Sequence, residues 1–144
     1  MLKSVLELFR NKTTTQEDPR SLELATAALA SEIIRADRET DPREIAAYRT
    51  LLTKHFSLTE DELKLLMDEG RDKAEQAVDF VQFTQVINQK CNNDEKHAIL
   101  LGLWEVAYAD ESIAPIEEHM IRRIADLLHI SHSQFIKAKL AVIE

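Results

Sequence analysis

Four carboxylates crowd the stretch Ala36-Asp37-Arg38-Glu39-Thr40-Asp41-Pro42-Arg43-Glu44. Asp37, Glu39 and Asp41 alternate, and Glu44 follows them by one helical turn. Oxygen ligands of this kind suit hard divalent cations such as calcium or magnesium. Alternation in an irregular loop can turn several such side chains toward one point. The same residues also make a good helix start, with Asp41 as cap, Pro42 at the first position and Glu44 at the third. Acidic side chains there also complement the helix dipole. Under that reading Asp37 and Glu39 are solvated charge. Both readings stand at the level of the sequence. An EF-hand does not fit: its loop needs Gly at the sixth position and Glu at the twelfth. Counted from Asp37, those positions hold Pro42 and Tyr48.

A second acidic loop reads Ala109-Asp110-Glu111-Ser112-Ile113-Ala114-Pro115-Ile116-Glu117-Glu118. A shift of 73 residues carries Asp37 onto Asp110, Pro42 onto Pro115, Glu44 onto Glu117 and Arg49 onto Arg122. Ser112 and Ala114 stand where the first loop has Glu39 and Asp41, so this copy is poorer in ligands. Asp110, Glu117 and Glu118 form either a weaker second site or a contribution to a shared one. The same shift pairs Glu32 with Glu105, five residues before each Asp. These two are either inner supports for the loops or charges at the bundle edge.

The elements that must position these loops are helices. Apolar residues recur at helical spacing along Leu22, Ala25, Leu29 and Ile33, and again along Ile45, Tyr48, Leu51, Leu52 and Phe56. Thr59 with Glu62 has the form of a capping box, as do Asp79 with Gln82 and Ser131 with Gln134. Asn93 precedes a further helix carrying Ile99, Leu100, Leu103, Trp104 and Val106. Pro115 opens another, and Phe135, Ile136, Leu140 and Ile143 form the stripe of the last. No stretch alternates with a period of two over strand length. The expected fold is all-α, a single-domain bundle containing two pseudo-symmetric helix–acidic loop–helix repeats. Residues 1–19 read as an amphipathic helix, with Leu2, Val5, Leu6 and Phe9 on one face, followed by a polar linker. Residues 20–144 form the helical domain.

Charge and composition narrow the partners. The net charge of −8 repels phosphate backbones, so nucleic acid is not expected. A cation or a basic protein surface fits better. Cys91 is the only cysteine, which excludes an internal disulfide and a multi-thiolate zinc site and suits a reducing cytoplasm. No apolar run approaches the ~20 residues of a membrane span. The N-terminal face can touch a membrane, but docking on the body or on a partner is the expectation. The amphipathic segment also allows a homodimer beside a monomer. His129 and His132 are spaced to meet one metal but straddle a helix cap, so surface histidines are expected. Cys91 near His97 reads as an inert thiol. There is no P-loop, no Gly-rich dinucleotide motif and no nucleophile elbow, so no enzyme is expected.

The two loops at this separation resemble the TerB (tellurite resistance) family, whose pattern is roughly Ala-Asp-Gly-Glu-(apolar)-Asp-Pro-x-Glu once per half. The resemblance runs from Leu22 to the end. It is strongest in Leu103-Trp104-Glu105-Val106-Ala107-Tyr108-Ala109-Asp110 and in His119-Met120-Ile121-Arg122-Arg123-Ile124-Ala125-Asp126-Leu127-Leu128. It implies a bundle of about seven to eight helices with an acidic, metal-binding face. It places a metal at Asp37, Glu39, Asp41 and Glu44. The family's domain also occurs joined to membrane-anchored J-domain co-chaperones, but no His-Pro-Asp motif is present here. Arg38 and Glu111 replace the loop Gly of the family pattern, at a modest strain if that position has positive φ. Tellurite is an oxyanion, and an acidic face repels it. The expected function is therefore a cation-binding regulatory or stress-response module without catalysis. The alternative is a metal-free interaction scaffold that uses the acidic face or the N-terminal helix on a protein partner.

Overall fold

Small residues decide which helix lies in the middle. In the computed structural model, which describes residues 19–36, 41–77 and 79–143, the first helix α1 (Pro19–Arg35) is buried over almost its whole circumference. Ala25, Thr26, Ala27, Ala28, Leu29, Ala30, Ser31 and Ile33 are all buried. A helix whose middle is mostly small residues can be enclosed this way because its neighbours approach closely and few polar groups are trapped. Thr26 satisfies its hydroxyl locally, donating to the Leu22 carbonyl at 2.9 Å.

Around α1 stand α2 (Pro42–His55), α3 (Glu60–Gln76), α4 (Val81–Lys90), α5 (Asn93–Ala107), α6 (Pro115–Leu127) and α7 (His132–Ile143). The described residues hold these seven helices and no strand, so the all-α expectation holds. The amphipathic segment and nearly all of the linker lie outside the described residues. Pro19, which closes the linker and suits a first helical position, is the first residue of α1.

The repeat is visible in the packing. Helices α1, α2 and α3 form one half, and α5, α6 and α7 the other. In each half the first helix packs on both others. Across the halves, α2 packs on α5 and α6 on α1, as a pseudo-two-fold relation requires. Helix α4 is the inserted connector, packed on α1 and α6.

The close approach of α3 to α1 is set by a glycine. A Cβ added at Gly70 of α3 would lie 2.7 Å from the Ala27 Cβ, 2.9 Å from the Ala27 backbone carbon and 2.8 Å from the Tyr48 hydroxyl. That hydroxyl is buried and donates to the Ala27 carbonyl at 3.0 Å, and burial pushes its pKa up. Alanine at position 70 would gain roughly 1 kcal/mol of helix propensity. It is nevertheless expected to destabilise by about 1–3 kcal/mol, because backbone must move to admit the methyl. Urea unfolding of Gly70→Ala checks this, and a more stable variant would contradict it.

Most helix ends follow the expected chemistry. Thr59 and Glu62 close a reciprocal box at 2.8 and 3.2 Å. The Ser131 Oγ accepts the Gln134 N–H at 3.3 Å. Two boundaries differ. Asn92, not Asn93, caps α5, because Asn92 and Glu95 form the box at 2.9 Å in both directions. The box expected between Asp79 and Gln82 is replaced by a simpler contact. Phe80 holds the cap position, and Asp79 accepts only the Val81 N–H, at 2.9 Å.

The C-terminus of α6 closes as a Schellman motif: Ile130 N–H reaches the Ala125 carbonyl and His129 N–H the Asp126 carbonyl. His129 takes φ 62° to do so. Asn88 and Lys96 satisfy the next carbonyls, donating to Leu127 O at 2.9 Å and Leu128 O at 3.4 Å. The last helix also differs from expectation. Phe135 is buried, but Leu140 and Ile143 are exposed, because α7 packs only through the side that meets α5 and α6.

Candidate functional site

The described part of the first loop is organised by its helix start. Asp41 caps α2, and its Oδ1 accepts the Arg43 N–H at 2.7 Å. The Glu44 carboxylate reaches back and accepts the Asp41 N–H through Oε1 at 3.1 Å. This is the full capping box. Glu44 is only 1% exposed, and its second oxygen, Oε2, is buried as well. The second loop repeats half of the device. Glu117 is 2% exposed and accepts the Ala114 N–H at 2.8 Å, while Ala114 has no side chain with which to reciprocate. A buried glutamate at the third helical position is thus common to both halves.

Arg43 engages Asp41 as a fork. Its Nε lies 3.1 Å from Oδ1 and its Nη2 2.9 Å from Oδ2. The guanidinium and the Arg43 N–H together hold the Asp41 carboxyl below its usual range. In return Asp41 raises the pKa of Arg43, and Asp110 and Glu111 of the second loop raise it further. Arg43, at the start of α2, therefore lies within electrostatic reach of the second loop. Sequence reasoning gave Arg43 no role. A basic residue one step into an acidic helix start carries no spacing signal.

The other candidates are distributed as follows. Asp37 and Glu39 lie outside the described residues. Asp110 turns onto its own loop, accepting from the Ser112 N–H at 3.1 Å and the Ser112 hydroxyl at 3.2 Å. Glu111 takes φ 68°, the left-handed conformation considered for this position in the sequence reading. Glu118 leaves the loop and pairs with Lys139 of α7. Glu32 pairs with Arg35 at 2.8 Å. Glu105 borders a hollow of about 250 Å³ between α2 and α5, together with His55, Leu51, Gly102 and Ala109. There burial, aided by Lys54, pulls the His55 pKa down, and Glu105 opposes this. The Cys91 thiol is pushed up, first by burial and then by Glu95, which is the opposite of an activated nucleophile.

Fit to a metal follows from these positions. Among the described residues no three His, Cys, Asp or Glu side chains gather closely enough to hold an ion. Asp41 and Glu44 are neighbours, and an all-oxygen pair of this kind suits calcium or magnesium rather than zinc. Among the described residues, no helix is long and apolar enough to cross a membrane.

Neither the curated proteins nor the solved structures contain a match to this chain. The family model described as tellurite resistance protein TerB matches residues 23–140, from the second turn of α1 into α7, with both acidic loops inside it. The chain belongs to the TerB tellurite-resistance family.

Proposed function

We propose that the chain is a non-catalytic regulatory or stress-response module of the cytoplasm that takes up a divalent cation, calcium or magnesium, at its first acidic loop. Asp37, Glu39, Asp41 and Glu44 supply the oxygens. The observation that supports this reading is the position of Arg43, at the start of α2 and within electrostatic reach of the second loop. Its guanidinium is forked on Asp41 and held in the field of Asp110 and Glu111, so a positive charge already stands there. A divalent ion carries twice that charge and is not tied to a side chain, so it can displace the guanidinium from Asp41. The second loop contributes negative field, with its own carboxylates at Asp110, Glu117 and Glu118 engaged in the turn, the cap and the Lys139 pair. Tellurite, an oxyanion, is repelled by this face.

The test is calorimetric titration of metal-free protein with calcium, magnesium, manganese and zinc, beside the variant D37N/E39Q/D41N/E44Q. Asparagine still caps a helix and glutamine still offers Oε1, so the variant removes charge and keeps the fold. Binding tighter than about millimolar, lost in the variant, is the expected result. Binding unchanged in the variant, or no heat from any ion, would rule the loop out as a cation site.

A second reading has its own supporting observation. The pairs Arg43–Asp41, Lys139–Glu118 and Arg35–Glu32 already neutralise three of the carboxylates. A metal-free scaffold that docks on a basic protein partner through the remaining charge would bind that partner equally well with chelator present.

A further inference from the structure

At the foot of α1 a second hollow of about 250 Å³ opens beside the first, with His55 bordering both. Leu22, Phe56, Cys91 and Ile99 line it, and Asp94 and Glu95 stand at its edge, both exposed. Leu22, Phe56 and Cys91 pack on the core but are only partly buried. An apolar patch with an acidic rim is therefore left facing outward.

We propose that the chain's own N-terminal segment, Met1 to Arg10, docks in this hollow. Three observations identify the occupant. The first is reach. Leu22 lies one turn into α1, and only residues 11–18 separate Arg10 from that helix. Eight residues extend to at most about 27 Å, and so short a tether gives an effective concentration of order millimolar. The second is shape of pattern. Leu2, Val5, Leu6 and Phe9 fall on one helical face and match a shallow apolar groove. The third is charge. Lys3 and Arg10 adjoin that face in the sequence, and their charge complements that of Asp94 and Glu95 at the rim. The same acidic rim repels an anionic lipid surface, which makes a membrane the poorer occupant. The inference is independent of any cation at the loops.

Cys91 is the only cysteine of the chain and lines the hollow, so it reports on occupancy directly. The reaction of the full-length protein with a thiol reagent is compared with that of the L6D/F9D variant. Labelling of Cys91 is expected to become roughly tenfold faster in the variant, since protection scales with the ratio of docked to undocked chain. Thermal unfolding followed by circular dichroism should remain cooperative in both. Leu65→Asp, at an exposed apolar residue of α3, should leave the rate unchanged. An unchanged rate in L6D/F9D would overturn the proposal. As an independent check, Phe9→Cys is oxidised mildly at low protein concentration. An intramolecular disulfide with Cys91 is expected. A covalent dimer as the sole product would assign the hollow to a second copy of the chain instead.

Discussion

Replacing Trp104 by alanine is expected to remove about 3–5 kcal/mol of stability, a large share of the roughly 5–15 kcal/mol available to a domain. Trp104 is fully buried on α5, and its ring packs on Phe135 of α7 with centroids 5.2 Å apart. Lys139 of α7 lies over the indole at 5.8 Å, and Arg122 of α6 lies over the Phe135 ring at 5.1 Å. One aromatic pair thus fastens all three helices of the second half. The loop from Asp110 to Ala114 hangs between two of them. Truncation would empty the centre of that half and loosen the frame that holds the second loop. Urea unfolding must be followed by circular dichroism, because Trp104 is the only tryptophan. Trp104→Phe should lose only about 1–2 kcal/mol. The indole Nε1 is buried without a hydrogen-bond partner among the described residues, so phenylalanine discards a donor that is already unsatisfied. A loss below about 1 kcal/mol for the alanine variant would contradict this role.

The buried glutamates at the two helix starts give the second large effect. Glu44→Ala and Glu117→Ala are each expected to cost about 1–3 kcal/mol. Each removes the acceptor for a loop N–H, that of Asp41 in one half and Ala114 in the other. Each also leaves a gap where a nearly fully buried side chain stood. Glutamine retains the Oε1 acceptor and should cost less than alanine at both positions. Chemical denaturation of the four variants checks this. Alanine variants as stable as the parent protein would mean that the carboxylates hold nothing in place. A similar loss at the two positions is expected from the repeat, because each glutamate closes the same turn of its half.

How much of this was legible in the sequence differs from feature to feature. The repeat was legible because Asp-to-Pro-to-Glu spacing survives a shift of 73 residues, and spacing is a one-dimensional property. The caps at Thr59 and Ser131 were legible for the same reason, since a capping box is closed by residues three apart. The α4 boundary was not. Asp79 and Gln82 have the right spacing, but the chain turns so that Phe80 takes the cap position. The stripe on α7 was read as one face. Packing divides it, because the helix lies at the bundle edge and Leu140 and Ile143 point past its neighbours. In the candidate site, Asp41 and Glu44 could be read either as ligands or as caps. Their capping geometry is now explicit, with Glu44 turned inward. Burial of a carboxylate depends on how the rest of the fold packs around it, and local spacing carries no record of that. Arg43 was missed for a related reason. Its first partner is Asp41, and the smaller contributions of Asp110 and Glu111 come from far away in the chain.

We propose that the acidic start of α2 takes a cation, and that Arg43 holds its position until an ion arrives. The most direct measurement is calorimetric titration of calcium and magnesium into Arg43→Met beside the parent protein. Methionine keeps the aliphatic stem and removes the charge. Freed of a tethered competitor and of one positive charge, the loop is expected to bind the divalent ion about tenfold more tightly, equivalent to roughly 1.4 kcal/mol. The Asp41 N-cap is retained, so the variant should fold normally. Affinity that stays the same or weakens on removal of Arg43 would contradict the account, and would leave the fork on Asp41 as a helix cap and nothing more.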